Sequence, residues 1–576
     1  MFGTPPSESA PPIADTLALI QRLKAIAGHR YVLTQPRRTR RYRVGFRFGG
    51  GPVLAVVRPG SLLELWHVLQ ACVAAHSIVI LQAANTGLTG GSTPYGSDYD
   101  RPIVLISTLR MARIYVIEGG RQVICLPGAT LYQLEKVLRA YGRTPHSVIG
   151  SSCIGASVLG GICNNSGGSL IRRGPAFTQR ALYARLDERG RLQLVNHLGV
   201  ELGNTPETIL TTLDQQAFQV TDIASDPGLT ASDHHYAELV RDVDADTPAR
   251  FNADPRLLFE ASGSAGKVAI FAVRLDTFAR DERTAVFYIG SNDASELEQI
   301  RRHMLTQFTS LPIAAEYLHR NAFDIAEKYG KDMFLAIQHL GTDRLPPLFA
   351  FKARVDDWIS RFRWLSGDFS DKALQALAGL FPSHLPKRLK AYRDRFEHHL
   401  MLRASESGIA EMQAYLSSIF PSRHGAFFEC GVAEGEKAFL HRFAAAGAAV
   451  RYRSVHRREV EDIVSLDVAL RRNDREWTET LPDNLLAHLV HRLYYGHFFC
   501  HVIHKDYLVR KGHDPHAVEH QLLQLADARG AEYPAEHNVG HLYRAKPSLI
   551  NHYRSLDPCN AFNPGIGGAS KQTDWR

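Results

Sequence analysis

Two glycine-rich stretches, QAANTGLTGGS at 82–92 and GSSCIGASVLGGICNNSGGS at 150–169, decide how this chain folds. Each follows a hydrophobic segment and exposes backbone N–H groups without bulky side chains, as a site needs where main-chain donors surround a pyrophosphate. Neither stretch reads G-x-G-x-x-G between a strand and a helix, or G-x-x-x-x-G-K-[ST], which excludes a Rossmann or P-loop motif. A simple turn is the alternative for either stretch alone. Two such stretches close together favour a dinucleotide cradle built from two loops.

The segments around these loops alternate between strand and helix patterns. Leu54 to Val57 predicts a strand, Ser61 with Glu64 predicts the capping box of a helix that runs to about Ala75, and Ile78 to Leu81 predicts the strand that enters the first loop. A hairpin is predicted between Tyr115 and Ile124, and a second capped helix follows it to Gly142. Residues 181–195 and 267–278 are β-rich, which predicts an α+β domain ending near Asp276.

Length and composition bound the protein class. At 576 residues, with 45% apolar and 22% charged residues, the chain is expected to fold into roughly two to four domains. Its net charge of +8 points to an anionic partner: a membrane surface, nucleic acid or an acidic small molecule. Seven cysteines, an odd number without a C-x-x-C pair, argue against a disulfide framework or a cysteine zinc ribbon and favour a reducing compartment. No signal peptide or membrane-spanning segment is predicted.

From about Thr277 the pattern becomes more helical, for example over Ala315 to Tyr329. Residues 344–395 carry eleven Lys or Arg and five Asp, a net charge of +6, interleaved with aromatic residues. The aromatic positions are Phe349, Phe351, Trp358 and Trp364. A solvated basic surface without a partner is the alternative to a membrane contact here.

Two histidine-rich phrases lie in the C-terminal third. YYGHFFCHVIHKDY contains His497, His501 and His504, and PAEHNVGHLY contains Glu536 and His537. Imidazole and carboxylate groups are suitable ligands for a borderline divalent metal, although a single histidine among aromatic residues more often only packs. Seven residues separate His497 from His504, which would place them on opposite faces of one strand, so a bulge or turn must intervene if both bind one ion.

Several phrases carry a resemblance to a known family. NTGLTGGS, SVIG, IGASVLGGICNNSGGS and SGSAGKVAI resemble the FAD-binding domain of vanillyl-alcohol-oxidase-type flavoproteins. From about Tyr31 to its C-terminus the chain also resembles the quinone-dependent D-lactate dehydrogenases, peripheral respiratory enzymes, through phrases such as PGSLLELW, FLHRFAAAGAA and PAEHNVGHLY.

The resemblance implies an α+β fold: a two-part FAD-binding domain of the vanillyl-alcohol-oxidase type, a cap domain and a basic membrane-binding segment. The implied divisions are an N-terminal tail and first helix at 1–30, the FAD-binding domain at 31–276, the cap domain at 277–330 and 391–525, the membrane-binding segment at 331–390, and a C-terminal return to the FAD-binding domain at 526–576.

The resemblance also implies noncovalent FAD, with its pyrophosphate against the two loops. The residues expected to line one side are Ala83, Ala84, Asn85, Thr86, Gly87, Gly91 and Ser92, and those on the other are Gly150, Ser157 and Gly167, with a backbone contact from Ile270. Related 2-hydroxy-acid dehydrogenases have two histidines at this separation followed by Glu-His. Carried over, His497, His504 and Glu536 would bind a divalent metal, and His537 would be the base. The chain departs from the family phrase between the two histidines, where Phe498 to Val502 replaces a Gly-Asp-Gly-Asn run.

The implied activity is oxidation of D-lactate to pyruvate by hydride transfer to flavin, with electrons passed to membrane quinone. A histidine that titrates near neutrality can accept the hydroxyl proton, and a metal or arginine, with Arg393 as a candidate, would bind the carboxylate. An FAD-dependent dehydrogenase or oxidase for another D-2-hydroxy acid is the alternative. Nucleic-acid binding is not expected because no recognition motif is present. The expected location is the cytoplasmic face of a bacterial inner membrane, bound peripherally to anionic phospholipid.

Overall fold

The computed structural model describes residues 13–146, 155–224, 228–340, 369–381 and 383–576. In these residues the strands form a four-stranded, a five-stranded and a seven-stranded sheet and one two-stranded ribbon. Helices cover the sheets without alternating regularly with the strands, so the α+β class predicted from the sequence is confirmed.

The four-stranded sheet contains the strand that leads into the first glycine-rich loop. Its order is β1-β2-β4-β3, and the last three strands are parallel. Its strands are β1 Val32–Leu33, β2 Ala55–Val57, β3 Ile78–Gln82 and β4 Ile103–Ser107, and its helices are α1 Ile13–Ala27, α2 Pro36–Arg43 and α3 Leu62–Ala74. One face packs against α1 and α3 through residues such as Leu23 and Leu65, and the other packs against α2 through Tyr42.

The start of α3 follows its sequence signal closely. The Ser61 side chain accepts a hydrogen bond from the Glu64 N–H at 3.1 Å, as the capping box predicts. The Glu64 carboxylate binds the N–H of Gly60 rather than that of Ser61. The β3 strand then ends at Gln82, so the first glycine-rich loop begins where a buried strand stops.

The five-stranded sheet is antiparallel, with the order β5-β6-β10-β8-β9. Its strands, together with the short pair β7 and β11, are β5 Ile114–Ile117, β6 Gln122–Cys125, β7 Arg143–Thr144, β8 Ala181–Leu186, β9 Leu192–Asn196, β10 Ala269–Asp276 and β11 Phe278–Ala279. The helices of this part are α4 Leu131–Arg139, α5 Val158–Cys163, α6 Pro206–Gln215 and α7 Tyr236–Arg241. Tyr115 pairs with Ile124, which confirms the predicted hairpin.

The seven-stranded sheet is antiparallel throughout, with the order β15-β12-β14-β13-β17-β18-β16. Its strands are β12 Thr284–Ser291, β13 Ala314–His319, β14 His398–Ser405, β15 Gly425–Glu429, β16 Val460–Ala469, β17 Leu489–His497 and β18 Val502–Arg510. The helices of this half are α8 Ala294–Gln307, α9 Arg320–Tyr329, α10 Lys331–Leu340, α11 Phe369–Leu380, α12 Lys387–Arg395, α13 Ser407–Ile419, α14 Val432–Val455, α15 Asp483–Leu486, α16 Pro515–Ala528 and α17 Pro547–Leu556.

The prediction of a helix over Ala315 to Tyr329 is wrong in its first part. Residues Ala314–His319 form β13 in the middle of the sheet, and the helix begins only at Arg320. Tyr317 packs into the core on one face of the sheet and Leu318 into the core on the other. A strand with both faces covered lacks apolar–polar alternation, so its sequence pattern cannot be told from that of a buried helix.

The C-terminal residues pack against the four-stranded sheet. Val79 on β3 donates to the carbonyl of Ala561 and accepts from Asn563, each at 2.9 Å. Phe562 lies in the same core as α1 and α3. Among the described residues, no helix combines the length and apolar character needed to cross a bilayer.

Candidate active site

The two histidines predicted as metal ligands lie at the tip of a hairpin. His497 ends β17, the single turn Phe498–Cys500 follows, and β18 begins at Val502. In this register Tyr495 faces His504, and the ring centroids of the two histidines are 5.2 Å apart. The turn is the interruption that the seven-residue spacing requires.

Glu536 reaches the same point from the loop before α17. Its Oε2 atom lies 3.1 Å from Nε2 of His497 and 3.7 Å from Nε2 of His504. One donor atom from each of the three side chains lies within 4.8 Å of the other two. The structure therefore brings the three residues together, and their role as metal ligands stays a prediction.

Two buried ion pairs that the sequence analysis did not anticipate fix this cluster. Glu316 on β13 contacts Nδ1 of His497 at 2.6 Å with one oxygen and Nε of Arg442 at 2.8 Å with the other. Arg250 contacts the second oxygen of Glu536. Glu316 and Glu536 thus each form an ion pair with an arginine in addition to their contact with His497. Arg442 lies in FLHRFAAAGAA, and a charged side chain in this alanine-rich helix is the sequence feature that could have indicated a buried ion pair.

The charges of the cluster shift its pKa values in opposite directions. Burial lowers the pKa of His497, but Glu316 and Glu536 outweigh it and raise the pKa to about 9. Burial raises the pKa of Glu536, but His497 and Arg250 hold it well below its usual range. His497 is therefore an imidazolium at neutral pH, and its ring lies between two carboxylates, Glu316 at Nδ1 and Glu536 at Nε2.

His537 has a separate partner, Asp467 on β16. Its Nδ1 atom lies 2.8 Å from Oδ2 of Asp467, and the same oxygen accepts the backbone N–H of Glu536 at 2.7 Å. The other oxygen of Asp467 lies 3.3 Å from Nδ1 of His504. About a third of the His537 side chain is accessible, and its Nε2 atom forms no hydrogen bond within the described residues. Asp467, which the sequence analysis missed, therefore fixes the ring and leaves Nε2 free.

The environment of His537 also raises its pKa. Burial opposes the charged form, but the carboxylates of Asp467 and Glu536 outweigh burial and the opposing charge of Arg47. The ring is consequently a stronger base than an isolated imidazole. An accessible, oriented and basic nitrogen is what proton abstraction from a hydroxyl requires.

The first glycine-rich loop presents backbone donors that the protein does not use. From Ala84 to Ser92, no backbone N–H donates a hydrogen bond within the described residues. Gly87 has open space where a Cβ would lie, and Gly90 has a φ of +73°. Unpaired donors are costly unless water or a ligand binds them, so this loop fits a pyrophosphate. All seven residues predicted to line this side lie along it: Ala83, Ala84, Asn85, Thr86, Gly87, Gly91 and Ser92.

The second glycine-rich loop is described from residue 155 onward, so the predicted contact at Gly150 lies outside the described residues. Ser157 caps α5 by accepting the N–H of Gly160 at 3.0 Å. Gly167 lies against Glu536, where a Cβ would come within 2.6 Å of Oε1. Ile270 is buried on β10 in the same core as α5. Their contacts with FAD stay predictions.

The first loop and the segment that carries His537 interlock. The N–H of His541 donates to the carbonyl of Thr89 at 2.9 Å, and a Cβ on Gly540 would lie 2.2 Å from that oxygen. A Cβ on Gly91 would likewise meet the side chain of Asn538 at 2.4 Å. The histidine cluster therefore lies beside the predicted flavin loop.

Much of the predicted membrane-binding stretch, 341–368 with its four aromatic positions, lies outside the described residues. Three basic side chains of α12 form ion pairs with acidic residues of neighbouring helices: Arg388 with Glu434, Lys390 with Glu327, and Arg393 with Asp324. The expectation that Arg393 could bind a substrate carboxylate is thereby corrected, because its guanidinium binds Asp324 with two nitrogens.

Two family models match the chain. One, described as an FAD binding domain, matches residues 53–191 and includes the first glycine-rich loop. The other, described as D-lactate dehydrogenase, membrane binding, matches residues 286–575 and includes the histidine cluster and all of the seven-stranded sheet except the first two residues of β12.

Individual relatives match along nearly the full length. The quinone-dependent D-lactate dehydrogenase of Escherichia coli K12 is 57% identical, covering 98% of this chain and 98% of that protein. The enzyme of the same name from Haemophilus influenzae is 56% identical, covering 97% and 99%. The solved structure of p-cresol methylhydroxylase with substrate bound has a TM-score of 0.60 at 12% identity, covering 97% of this chain and 98% of that one. At such low identity the likeness shows the fold alone, and it confirms the expected vanillyl-alcohol-oxidase-type fold.

Proposed function

The chain belongs to the family of quinone-dependent D-lactate dehydrogenases, FAD enzymes that oxidise D-lactate to pyruvate and pass the electrons to quinone, and within this reaction we propose that His537 is the base. The observation that carries the proposal is the pairing of Nδ1 of His537 with Asp467, which leaves Nε2 free beside the flavin loop. When bound, FAD supplies the acceptor for the hydride of the substrate α-carbon. A group of the protein must then accept the proton of the substrate hydroxyl.

His537 accepts that proton at Nε2. Asp467 holds the ring in the tautomer with the proton on Nδ1 and stabilises the imidazolium that forms, because its buried carboxylate already accepts from Nδ1. Asp467 does not contact the substrate in this scheme and acts as a positioning residue.

We propose that FAD lies against both glycine-rich loops, with its pyrophosphate at the unused N–H groups between Ala84 and Ser92. This proposal rests on those free donors and on the interlock between Gly540 and Thr89, which holds the loop next to His537. Gly150, Ser157, Gly167 and the backbone of Ile270 are the proposed contacts on the other side. The FAD is proposed to be noncovalent.

His497, His504 and Glu536 would hold a divalent metal. Their donor atoms are close enough for one ion, and Glu316 already binds Nδ1 of His497, leaving Nε2 as the ligand atom. A metal there would replace the proton that His497 carries without it, and would supply a Lewis acid for the substrate carboxylate and hydroxyl. The apolar turn between the histidines contributes no ligand, so the ion would depend on these three residues.

We propose Arg47 as the residue that binds the substrate carboxylate. Arg250 and Arg442 are engaged with Glu536 and Glu316, whereas Arg47 is exposed and forms no hydrogen bond or ion pair within the described residues. Its positive charge lowers the pKa of His537, though less than burial does, which supports a position near the base. A guanidinium suits a carboxylate because it can donate two parallel hydrogen bonds.

Replacement of His537 by Gln tests the proposed base. We expect the purified variant to keep its flavin absorption but to turn over D-lactate with a dye acceptor at least about 100-fold more slowly, the lower range for loss of a general base. His516→Gln, an exposed histidine on α16, is the matched control and should retain full turnover. Near-normal turnover of the His537 variant would remove this residue from the mechanism.

We further propose that the protein attaches peripherally to anionic phospholipid at the cytoplasmic face of the bacterial inner membrane. The match of residues 286–575 to a family model described as membrane binding and the net charge of +8 support this proposal. Sedimentation with vesicles that contain phosphatidylglycerol should be strong at low ionic strength and decrease with added salt, because salt screens the attraction. Binding that ignores both salt and lipid charge would contradict it.

A further inference from the structure

The strongest concentration of positive charge in the chain lies near its N-terminus, mostly before residue 53, where the first family-model match begins. Residues 16–63 contain ten Lys or Arg and no Asp or Glu, a net charge of +10, so the other 528 residues together carry −2. Residues 344–395 reach only +6, and part of that charge is paired on α12. The N-terminal stretch is therefore the main source of the positive net charge.

The helix α2, with the sequence PRRTRRYR, turns this charge toward solvent. Thr39 and Tyr42, three positions apart, are buried, and Tyr42 packs against β2 and β4. Four of its five arginines are exposed, and Arg43 is half-buried; the exposed ones are Arg37, Arg38, Arg40 and Arg41. Packing of the helix thus requires only its inner stripe. Arg41 donates a hydrogen bond to the Tyr42 hydroxyl at 2.6 Å, whereas the fold does not use the charges of Arg37 and Arg38.

These charges are unfavourable for the isolated helix. Arg37 and Arg38 occupy its first turn, where the helix dipole favours acidic residues, and neither side chain forms an ion pair or hydrogen bond within the described residues. Exposed arginines clustered on one helix also repel each other. On α12, by contrast, Arg388 is paired with Glu434. A binding partner that supplies negative charge would relieve the repulsion on α2.

Apolar side chains flank the basic helix. Val44 and Phe46, immediately after its C-terminus, are 43% and 57% exposed. Arginines close in sequence to an exposed aromatic residue suit the headgroup region of a bilayer, where the ring lies at the level of the acyl boundary and the guanidinium groups contact phosphate. This combination favours a lipid surface over a soluble anion.

The same surface is attached to the predicted flavin loop. The carbonyl of Val44 accepts a hydrogen bond from Nδ2 of Asn85 at 2.9 Å, and the carbonyl of Tyr42 accepts one from Gln82 at 2.8 Å. Phe48 stacks on Tyr95, which follows that loop, with centroids 5.2 Å apart. A membrane against α2 would therefore lie beside the part of the protein where quinone has to approach the flavin.

We propose that α2, together with Val44 and Phe46, is a second docking surface for anionic lipid headgroups, separate from the matched membrane-binding region, and that it holds the flavin loop close to the bilayer. This inference rests on the proposed attachment to anionic phospholipid. The arginine helix supplies long-range attraction, and Phe46 supplies the interfacial contact.

The test uses the FAD-loaded enzyme and vesicles of phosphatidylcholine with or without phosphatidylglycerol. We expect Arg37→Gln/Arg38→Gln to bind the anionic vesicles about thirty-fold more weakly, because each basic residue near an anionic surface adds roughly 1 kcal/mol and 1.4 kcal/mol is a factor of ten. Quinone reduction in vesicles should fall with binding, while FAD content and turnover with a dye acceptor stay unchanged.

Two controls separate the possible causes. Lys136→Gln/Arg139→Gln removes the same charge from exposed positions on α4 and should leave vesicle binding within about two-fold of the parent. Arg37→Lys/Arg38→Lys keeps the charge of α2 and should retain binding.

Equal vesicle binding by the α2 glutamine variant and the parent would overturn the second surface and leave the proposed membrane attachment standing. Failure of the parent itself to bind anionic vesicles would overturn both. Equal losses in the α2 and α4 glutamine variants would show that only net charge matters, which also overturns a specific surface. Loss of binding in the lysine variant as well would refute the electrostatic explanation.

Discussion

Replacement of Asp467 by Asn is the most direct probe of how the fold supports the proposed base. The Asp467 carboxylate accepts Nδ1–H of His537 at 2.8 Å and the N–H of Glu536 at 2.7 Å, and its second oxygen lies 3.3 Å from His504. Asn keeps one acceptor but loses the charge. A hydrogen bond to a charged group contributes about 1.5–3 kcal/mol, so kcat should fall roughly 10- to 150-fold.

The pH dependence should change in a defined direction. Asp467 raises the pKa of His537, and the base acts in its unprotonated form, so the rate increases as pH rises through that pKa. Removing the charge lowers the pKa, and the acidic limb of the kcat profile should move to lower pH while the plateau falls. The assay is steady-state turnover of D-lactate with a dye acceptor from pH 5 to about 9, at equal FAD content.

Glu479→Gln is the matched control, because Glu479 is also a largely buried carboxylate against the same sheet but binds Lys505 and Tyr507 instead of a site histidine. We expect this variant to unfold at a lower temperature and to keep its kcat. Unchanged kcat and an unmoved pH profile in Asp467→Asn, or equal kcat losses in both variants, would refute the positioning role.

Three further perturbations test other parts of the site. Gly540→Ala should weaken FAD retention on dialysis and lower the unfolding free energy by about 1–3 kcal/mol. The reason is that Gly540 has a φ of +54° and the new Cβ would lie 2.2 Å from the Thr89 carbonyl oxygen. Full FAD retention would contradict the interlock. Arg47→Met should raise KM for D-lactate about 10- to 100-fold with little change in kcat, whereas an unchanged KM would assign the carboxylate to another residue. Zinc affinity, measured by competition with a chromophoric chelator, should rise about tenfold per pH unit from 7 toward 9. The reason is that zinc displaces a proton from His497, whose pKa is about 9. An affinity that does not change with pH would argue against the site.

Local sequence signals were sufficient for the elements that lead into the cofactor site. The Ser61 cap, the strand that ends at Gln82 and the hairpin through Tyr115 and Ile124 depend on neighbouring residues, and all three form as predicted. The spacing of His497 and His504 likewise required a turn, and the chain makes one. Backbone periodicity and capping act over a few residues, so they can be read from the sequence.

The residues that orient the site could not be found in this way. Asp467 lies 70 positions before His537, Glu316 lies 181 before His497, and Arg250 lies 286 before Glu536. Single carboxylates and arginines occur throughout any chain, and the phrases around these three carry no spacing that identifies them. The sheet register sets Asp467 opposite His504 and Glu316 opposite His497, and the packing of a segment outside the strands brings Arg250 to Glu536.

The basic residues also show which properties follow from the sequence and which depend on the tertiary structure. The sequence by itself determined that the protein is basic and that its cations cluster near residues 16–63 and 344–395. The tertiary structure decided which of them are available: on α12, Arg388, Lys390 and Arg393 are paired with acids from α9 and α14, whereas Arg37 and Arg38 on α2 have no such partners among the described residues. The physical reason is that an ion pair depends on the distance between side chains in space, and helices far apart in the sequence determine that distance only when they pack.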